Sequence, residues 1–392
     1  MAILFVALFN SILGLSILFP ILAPLGRQLG LVEVQVGALS TAYALMQLIM
    51  SPMWGRRSER VGRKPVLLTG VIGFGISFLL FALVAELGER GTLRGVPLFI
   101  GLLLCRALGG TFSSATLPTA QAYVADTTGR SDRTAGMAII GAAFGLGIVF
   151  GPLIGGLLSL ISLLAPIYLS AALALLNAVF IALRLKEPER RLSTRPPELR
   201  PVAVKVWPLL GVALAVSLAS VAMEQTIAFT FQDRLALSAR QTPRVVGAAL
   251  GVYGVVAVLA QGVIVRRFRW PPLRLLGSGL PFALAGFAGL IFAHRWIALT
   301  AALAVQGFGQ GLAMPGVTAA VSLGVSEDEQ GAVAGLNSSA QALGRLMGPV
   351  VGTGLYQLKP EYPYGFSALL LAVVMVLMLT SRRLRVAISA GA

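Results

Sequence analysis

Three ionisable residues lie deep inside apolar stretches of this 392-residue chain: Arg106, Glu224 and Arg345. At the centre of a bilayer such a group costs roughly 2.5 to 3.5 kcal/mol on insertion scales, so it normally faces a cavity or a partner. A carboxyl there can load and release a proton, while a guanidinium can hold an anionic group or balance the carboxyl. Of the 15 acids, Glu224 alone falls clearly within a predicted span, since Glu33, Glu86 and Asp233 stand at span ends. It is the expected proton carrier. Polar residues recur at helical spacing beside these charges. Ser217, Ser220 and Glu224 form one stripe at i, i+3, i+7, and Asn337, Gln341 and Arg345 another at i, i+4, i+8. Ser40, Tyr43, Gln47 and Ser51 polarise the second span, and Gln306 with Gln310 the tenth. These stripes predict a polar cavity for a small-molecule substrate. For any single serine or glutamine, a hydrogen bond that glues two helices is the simpler role.

Other chemistries lack the residues they require. The chain has one cysteine, Cys105, and one histidine, His294, so neither a disulfide framework nor a Cys- or His-based metal site is expected. No nucleophile elbow, phosphate loop or metal-ligand cluster is visible, and the expectation is a non-enzyme without cofactors. The net charge of +16 would suggest nucleic acid in a soluble protein. Here the basic residues stand in short gaps between apolar spans, where they report membrane topology and not a nucleic-acid partner.

Those spans dominate the composition. Hydrophobic residues make up 57% of the chain and charged ones only 12%, with a mean hydropathy of +0.86. Crossing a bilayer takes roughly 20 apolar residues as a helix. Twelve segments qualify, near 2–25, 34–54, 65–86, 97–121, 134–158, 163–183, 207–231, 245–265, 273–293, 297–321, 331–356 and 364–380. The first starts at the initiator without a basic leader and reads as a retained helix, not a signal peptide. Residues 185–206, rich in proline and charge, read as a linker between two six-helix bundles, 1–184 and 207–392. If the first helix leaves the cytoplasm, most arginines and lysines fall in inward gaps. Only Arg27, Arg90, Arg94, Arg234, Arg240, Arg244, Arg295 and Lys359 lie outward. Both termini are then cytoplasmic, with the protein integral to the cytoplasmic (inner) membrane and in contact with its lipids.

The chain also repeats itself. Gly147, Gly151, Pro152 and Gly155 recur 197 positions later as Gly344, Gly348, Pro349 and Gly352, and Gly110 and Pro118 recur at the same offset as Gly307 and Pro315. Duplicated halves of this kind permit alternating access. Two pseudo-symmetric bundles follow, with the first, fourth, seventh and tenth helices lining the cavity.

Residues 55–65 read GRRSERVGRKP and resemble the loop motif GxxxDRxGRK of the major facilitator superfamily, with Glu59 at the usual aspartate position. Residues 261–273 resemble its degraded second copy. Arg106, Gly110 and the segment ending at Asp126 are similar to the arginine motif and fourth-helix end of tetracycline-type exporters. The run Gly147, Gly151, Pro152, Gly155, Gly156 resembles the glycine motif of antiporters in that superfamily. The resemblance, strongest to twelve-helix drug:proton antiporters, implies an all-α membrane protein with the major facilitator fold. It implies proton-coupled efflux of small amphipathic or drug-like molecules. It also implies a latch built from Gly55, Glu59, Arg60, Gly62, Arg63, Lys64 and Asp126, with Glu59 near the start of the eleventh helix and Asp126 paired to Arg60 or Arg63. Many such exporters carry an acid in the first helix, where this chain has Asn10. A neutral amide carries no proton, so coupling falls to Glu224, or transport is uncoupled. An uncoupled facilitator, an importer of small solutes or a lipid translocator is the alternative.

Overall fold

The computed structural model describes residues 2–127, 133–188, 199–268, 270–326 and 329–380. Arg130, the linker residues Arg190, Arg191 and Arg195, and the carboxy-terminal Arg382, Arg383 and Arg385 lie outside the described residues. Every regular element among those described is a helix. Two compact units emerge, one of Met1–Ser193 with Leu237–Ala248, the other of Thr194–Ala236 with Ala249–Ala392.

The first unit contains α1 (Ala2–Ser16), α2 (Leu22–Gln28), α3 (Glu33–Val61), α4 (Arg63–Glu89), α5 (Gly95–Ser113), α6 (Thr116–Thr127), α7 (Arg133–Leu158) and α8 (Ala165–Arg184). The predicted first span is broken between α1 and α2, and the fourth between α5 and α6. Proline explains both breaks. Pro20 has no N–H to give the carbonyl of Ser16, and Pro118 none for Ser114, four residues earlier in each case. The Ser16 carbonyl instead accepts from the Phe19 amide at 3.1 Å, in a tighter turn.

The second unit contains α9 (Leu199–Arg234), most of α10 (Thr242–Leu259), a π-helical turn (Ala260–Val265) leading into α11 (Arg266–Phe268), α12 (Pro272–Phe292), α13 (Trp296–Leu323), α14 (Gln330–Leu358) and α15 (Tyr362–Thr380). At 36 residues α9 starts well inside the segment expected to be linker. Among the described residues, ten helices are long and apolar enough to cross a membrane. The remaining two predicted spans are the proline-broken α1 and α2, and α14, whose 29 residues carry a polar stripe.

Each unit repeats the same internal packing. On α7, a methyl group at Gly147 would meet Ile12, and one at Gly151 would overlap Ser16 and crowd Ile17 of α1. On α14, the equivalents Gly344 and Gly348 lie against Ser217 with Leu218 and against Val221 with Ala222 of α9. Gly155 and Gly352 then meet the carbonyls of Ile17 and Ala222. Thus α1 corresponds to α9 at one constant offset and α7 to α14 at another. Glycines four apart leave a flat face on which the partner backbone rests, as small-residue ladders do in membranes. A hydroxyl bridges each pair: Ser16 donates to the Gly147 carbonyl at 2.8 Å and Ser217 to the Gln341 carbonyl at 3.0 Å. Pro152 and Pro349 stand inside continuous helices. The initial turns of α10 belong to the first unit, where Gly247 abuts the Pro152 carbonyl and Gly156.

Candidate functional site

In the first unit the predicted polar residues of α3 and α5 converge. Gly110 of α5 has no side chain, so the Tyr43 carbonyl of α3 comes directly against it. That close approach lays the Tyr43 ring 4.5 Å from the Arg106 guanidinium, and Phe78 of α4 flanks the same cation at 6.0 Å. The Tyr43 hydroxyl bonds Ser113, one further turn along α5, and Gln47 donates to the same oxygen at 3.2 Å. Arg106 is buried, with 4% of its surface exposed, and its Nε has no partner. No hydrogen bond or ion pair reaches its guanidinium from the described residues. Asn10 lies half-buried on α1.

The second unit reproduces the tyrosine arrangement. Tyr253 of α10 packs against Gly307 of α13 as Tyr43 packs against Gly110. Here the nearby charges come from other helices: Glu224 of α9 is within electrostatic reach of Arg345 of α14, and Tyr253 within reach of Glu224. Ser217 spends its hydroxyl on α14, and the Ser220 oxygen is enclosed without a partner. Gln306 is fully enclosed, laid across Gly286 of α12, with neither end of its amide bonded. Gln310 and Gln341 are half-buried, whereas Arg345 is exposed.

The loop between α3 and α4 forms a second cluster. Arg63 Nε donates to Asp126 Oδ2 at 2.8 Å, and Arg63 also reaches Ser58 Oγ at 2.6 Å. This is one of the two pairings expected for Asp126, and Arg60 is exposed. Gly62 holds φ at +116°, a conformation that favours glycine. The turn aims the first amides of α4 at Glu187, which accepts from Arg63 N and, at 2.8 Å, from Lys64 N. Lys64 Nζ donates to the Ala182 carbonyl at 2.7 Å, and the Tyr123 hydroxyl to the Lys186 carbonyl at 2.9 Å. The segment after α8 is thereby tied to the loop. Gly55 and Glu59 lie on the last turns of α3, Glu59 exposed.

Comparison with known proteins accords with this geometry. The sequence pattern described as Major Facilitator Superfamily matches residues 4–293 and 210–389. The chain belongs to the Major Facilitator Superfamily. It is 28% identical over 382 residues to Multidrug resistance protein 1 of Bacillus subtilis (strain 168), covering 95% of this chain and 94% of that protein. It is 29% identical over 365 residues to the class C tetracycline resistance protein of Escherichia coli, covering 88% and 86%. The crystal structure of the human organic anion transporter MFSD10 (TETRAN) superposes with a TM-score of 0.69 at 22% identity, over 96% of this chain and 98% of that one. This major facilitator chain is therefore an integral membrane protein of the transporter fold.

Sequence reasoning missed Ser113, Tyr253 and Glu187. Ser113 stands seven residues after Arg106, two helical turns along the same face. Tyr253 was hidden, because it stands 210 positions after Tyr43 and so falls off the 197-position offset of the repeated glycines. Glu187 carries no such signal, since its partners are backbone amides.

Proposed function

We propose that this chain is a secondary exporter of small amphipathic, drug-like molecules, driven by protons and working by alternating access. The observation that carries the proposal is Glu224, an acid well inside the apolar helix Val206–Arg234, with Arg345 and Tyr253 as its electrostatic neighbours. A carboxyl with a titratable choice between proton and cation partner is the chemistry that couples a proton gradient to a conformational change. The names of the bacterial relatives, resistance proteins for multiple drugs and for tetracycline, support efflux as the direction. The repeated glycine ladders support two equivalent halves, 1–184 and 207–392, joined by residues 185–206. The bias of basic residues supports cytoplasmic termini, and the apolar surface supports close contact with membrane lipids. Asp126 paired with Arg63 supports the loop latch, with Glu59 exposed beside it on the last turn of α3. Asn10, Gln310 and Gln341 are proposed to contribute to the substrate cavity.

The test is flux in proteoliposomes holding the purified chain, with an imposed pH gradient and a panel of amphipathic cations, neutral drugs and sugars. Gradient-dependent movement of at least one amphipathic compound, abolished by a protonophore, is expected. Equal flux with and without the gradient would leave an uncoupled facilitator instead.

A further inference from the structure

Arg106 is a buried cation with no acidic partner among the described residues of its unit. Its nearest electrostatic neighbour is the Tyr43 ring system, and no carboxylate of the described residues pairs with it. A buried charge without a counter-ion is unfavourable, so an anion that reached this guanidinium would be held strongly. Tyr43 and Phe78 occupy the flanks of the guanidinium with carbon, while its N–H fork, with Nε unbonded, is left to form hydrogen bonds. Paired donors of this kind match a carboxylate in geometry as well as charge. The adjoining crevice is walled by Leu18, Ser77, Phe78, Phe81 and Cys105, and in this state is too tight for a water molecule. Its mostly apolar wall disfavours a hydrated inorganic ion and suits the body of an organic acid.

We propose that Arg106 is the seat for the carboxylate of an organic acid with a flat, apolar body, which defines a substrate class for this exporter. The proposal rests on the export reading only for the word substrate; the binding site stands on the geometry of the first unit. Entry of such a ligand requires the crevice to widen beyond what this state shows.

Equilibrium binding of 2-naphthoate and its neutral isostere 2-naphthamide to the purified full-length chain tests this. The unmodified protein should bind naphthoate at least about tenfold more tightly, the scale of a charge-assisted hydrogen-bonded pair. Arg106→Gln should bring the two affinities together. Arg106→Lys keeps the buried charge if the glutamine variant fails to fold, and should weaken naphthoate several-fold while leaving naphthamide unchanged. Sulfate at equal concentration should not displace naphthoate. Equal affinities in the unmodified protein, or a preference for naphthoate that the lysine substitution does not reduce, would overturn the site, and displacement by sulfate would overturn the organic class. Because binding needs no gradient, a protein that pumps cations without preferring naphthoate refutes this site alone. One that prefers naphthoate yet moves nothing refutes the export reading alone.

Discussion

Glu187 closes the first turn of α4 with a carboxylate, where two amide donors and the positive end of the helix dipole await an acceptor. Glu187→Ala should lower stability by roughly 1 kcal/mol, the scale of a lost helix cap. Glu187→Gln, which keeps the oxygen but not the charge, should lose less, and thermal unfolding in detergent reads the difference. An alanine variant as stable as the parent would show the contact to be idle. Asp126→Asn removes the charge from a pair in which both side chains are mostly buried. A loss of about 1.5 to 3 kcal/mol is expected, as for a hydrogen bond to a charged group, with arginine 63 left behind to be rehydrated. The Asp126 pairing was legible, to within a choice of Arg60 or Arg63, because the loop resembles a known family motif. Glu187 was not, since any acid near a helix start can find amides and nothing in the residues says which one does.

At the scale of elements, the glycine ladders decide how closely α7 meets α1 and how closely α14 meets α9. Gly151→Leu and Gly348→Leu should each cost about 1 to 3 kcal/mol through overpacking, and cut transport severely, because the methylene groups land on Ser16 or Val221. Gly141→Ala and Gly335→Ala, where nothing lies within 4 Å, should leave transport unchanged. Matched flux assays on the four variants check the contrast, and equal damage at open and crowded positions would contradict it. The ladders were readable because packing of this type requires glycine at a fixed helical interval. The breaks at Pro20 and Pro118 were not. Pro52, Pro152, Pro281, Pro315 and Pro349 all sit inside continuous helices, so the residue type alone does not reveal which proline ends a helix. The length of α9 was hidden likewise, since charged and proline-containing sequence remains compatible with a helix outside an apolar span.

For the molecule as a whole, the two units share the glycine ladders and their bridging hydroxyls but differ in chemistry. The tyrosine-on-glycine arrangement recurs, yet the first unit places beside it an arginine with no acidic partner among the described residues, and the second an acid with a cation in reach. Under these proposals the labour divides accordingly: the second unit would carry the proton and the first would hold an anionic group. The direct test of the central claim is simultaneous measurement of substrate flux and lumenal pH in proteoliposomes at fixed external pH, for the parent and Glu224→Gln. Gradient-driven accumulation and the matching proton movement should both vanish in the glutamine variant, while substrate counterflow, which needs no net proton transfer, persists. Proton-driven accumulation in Glu224→Gln equal to that of the parent would contradict the account.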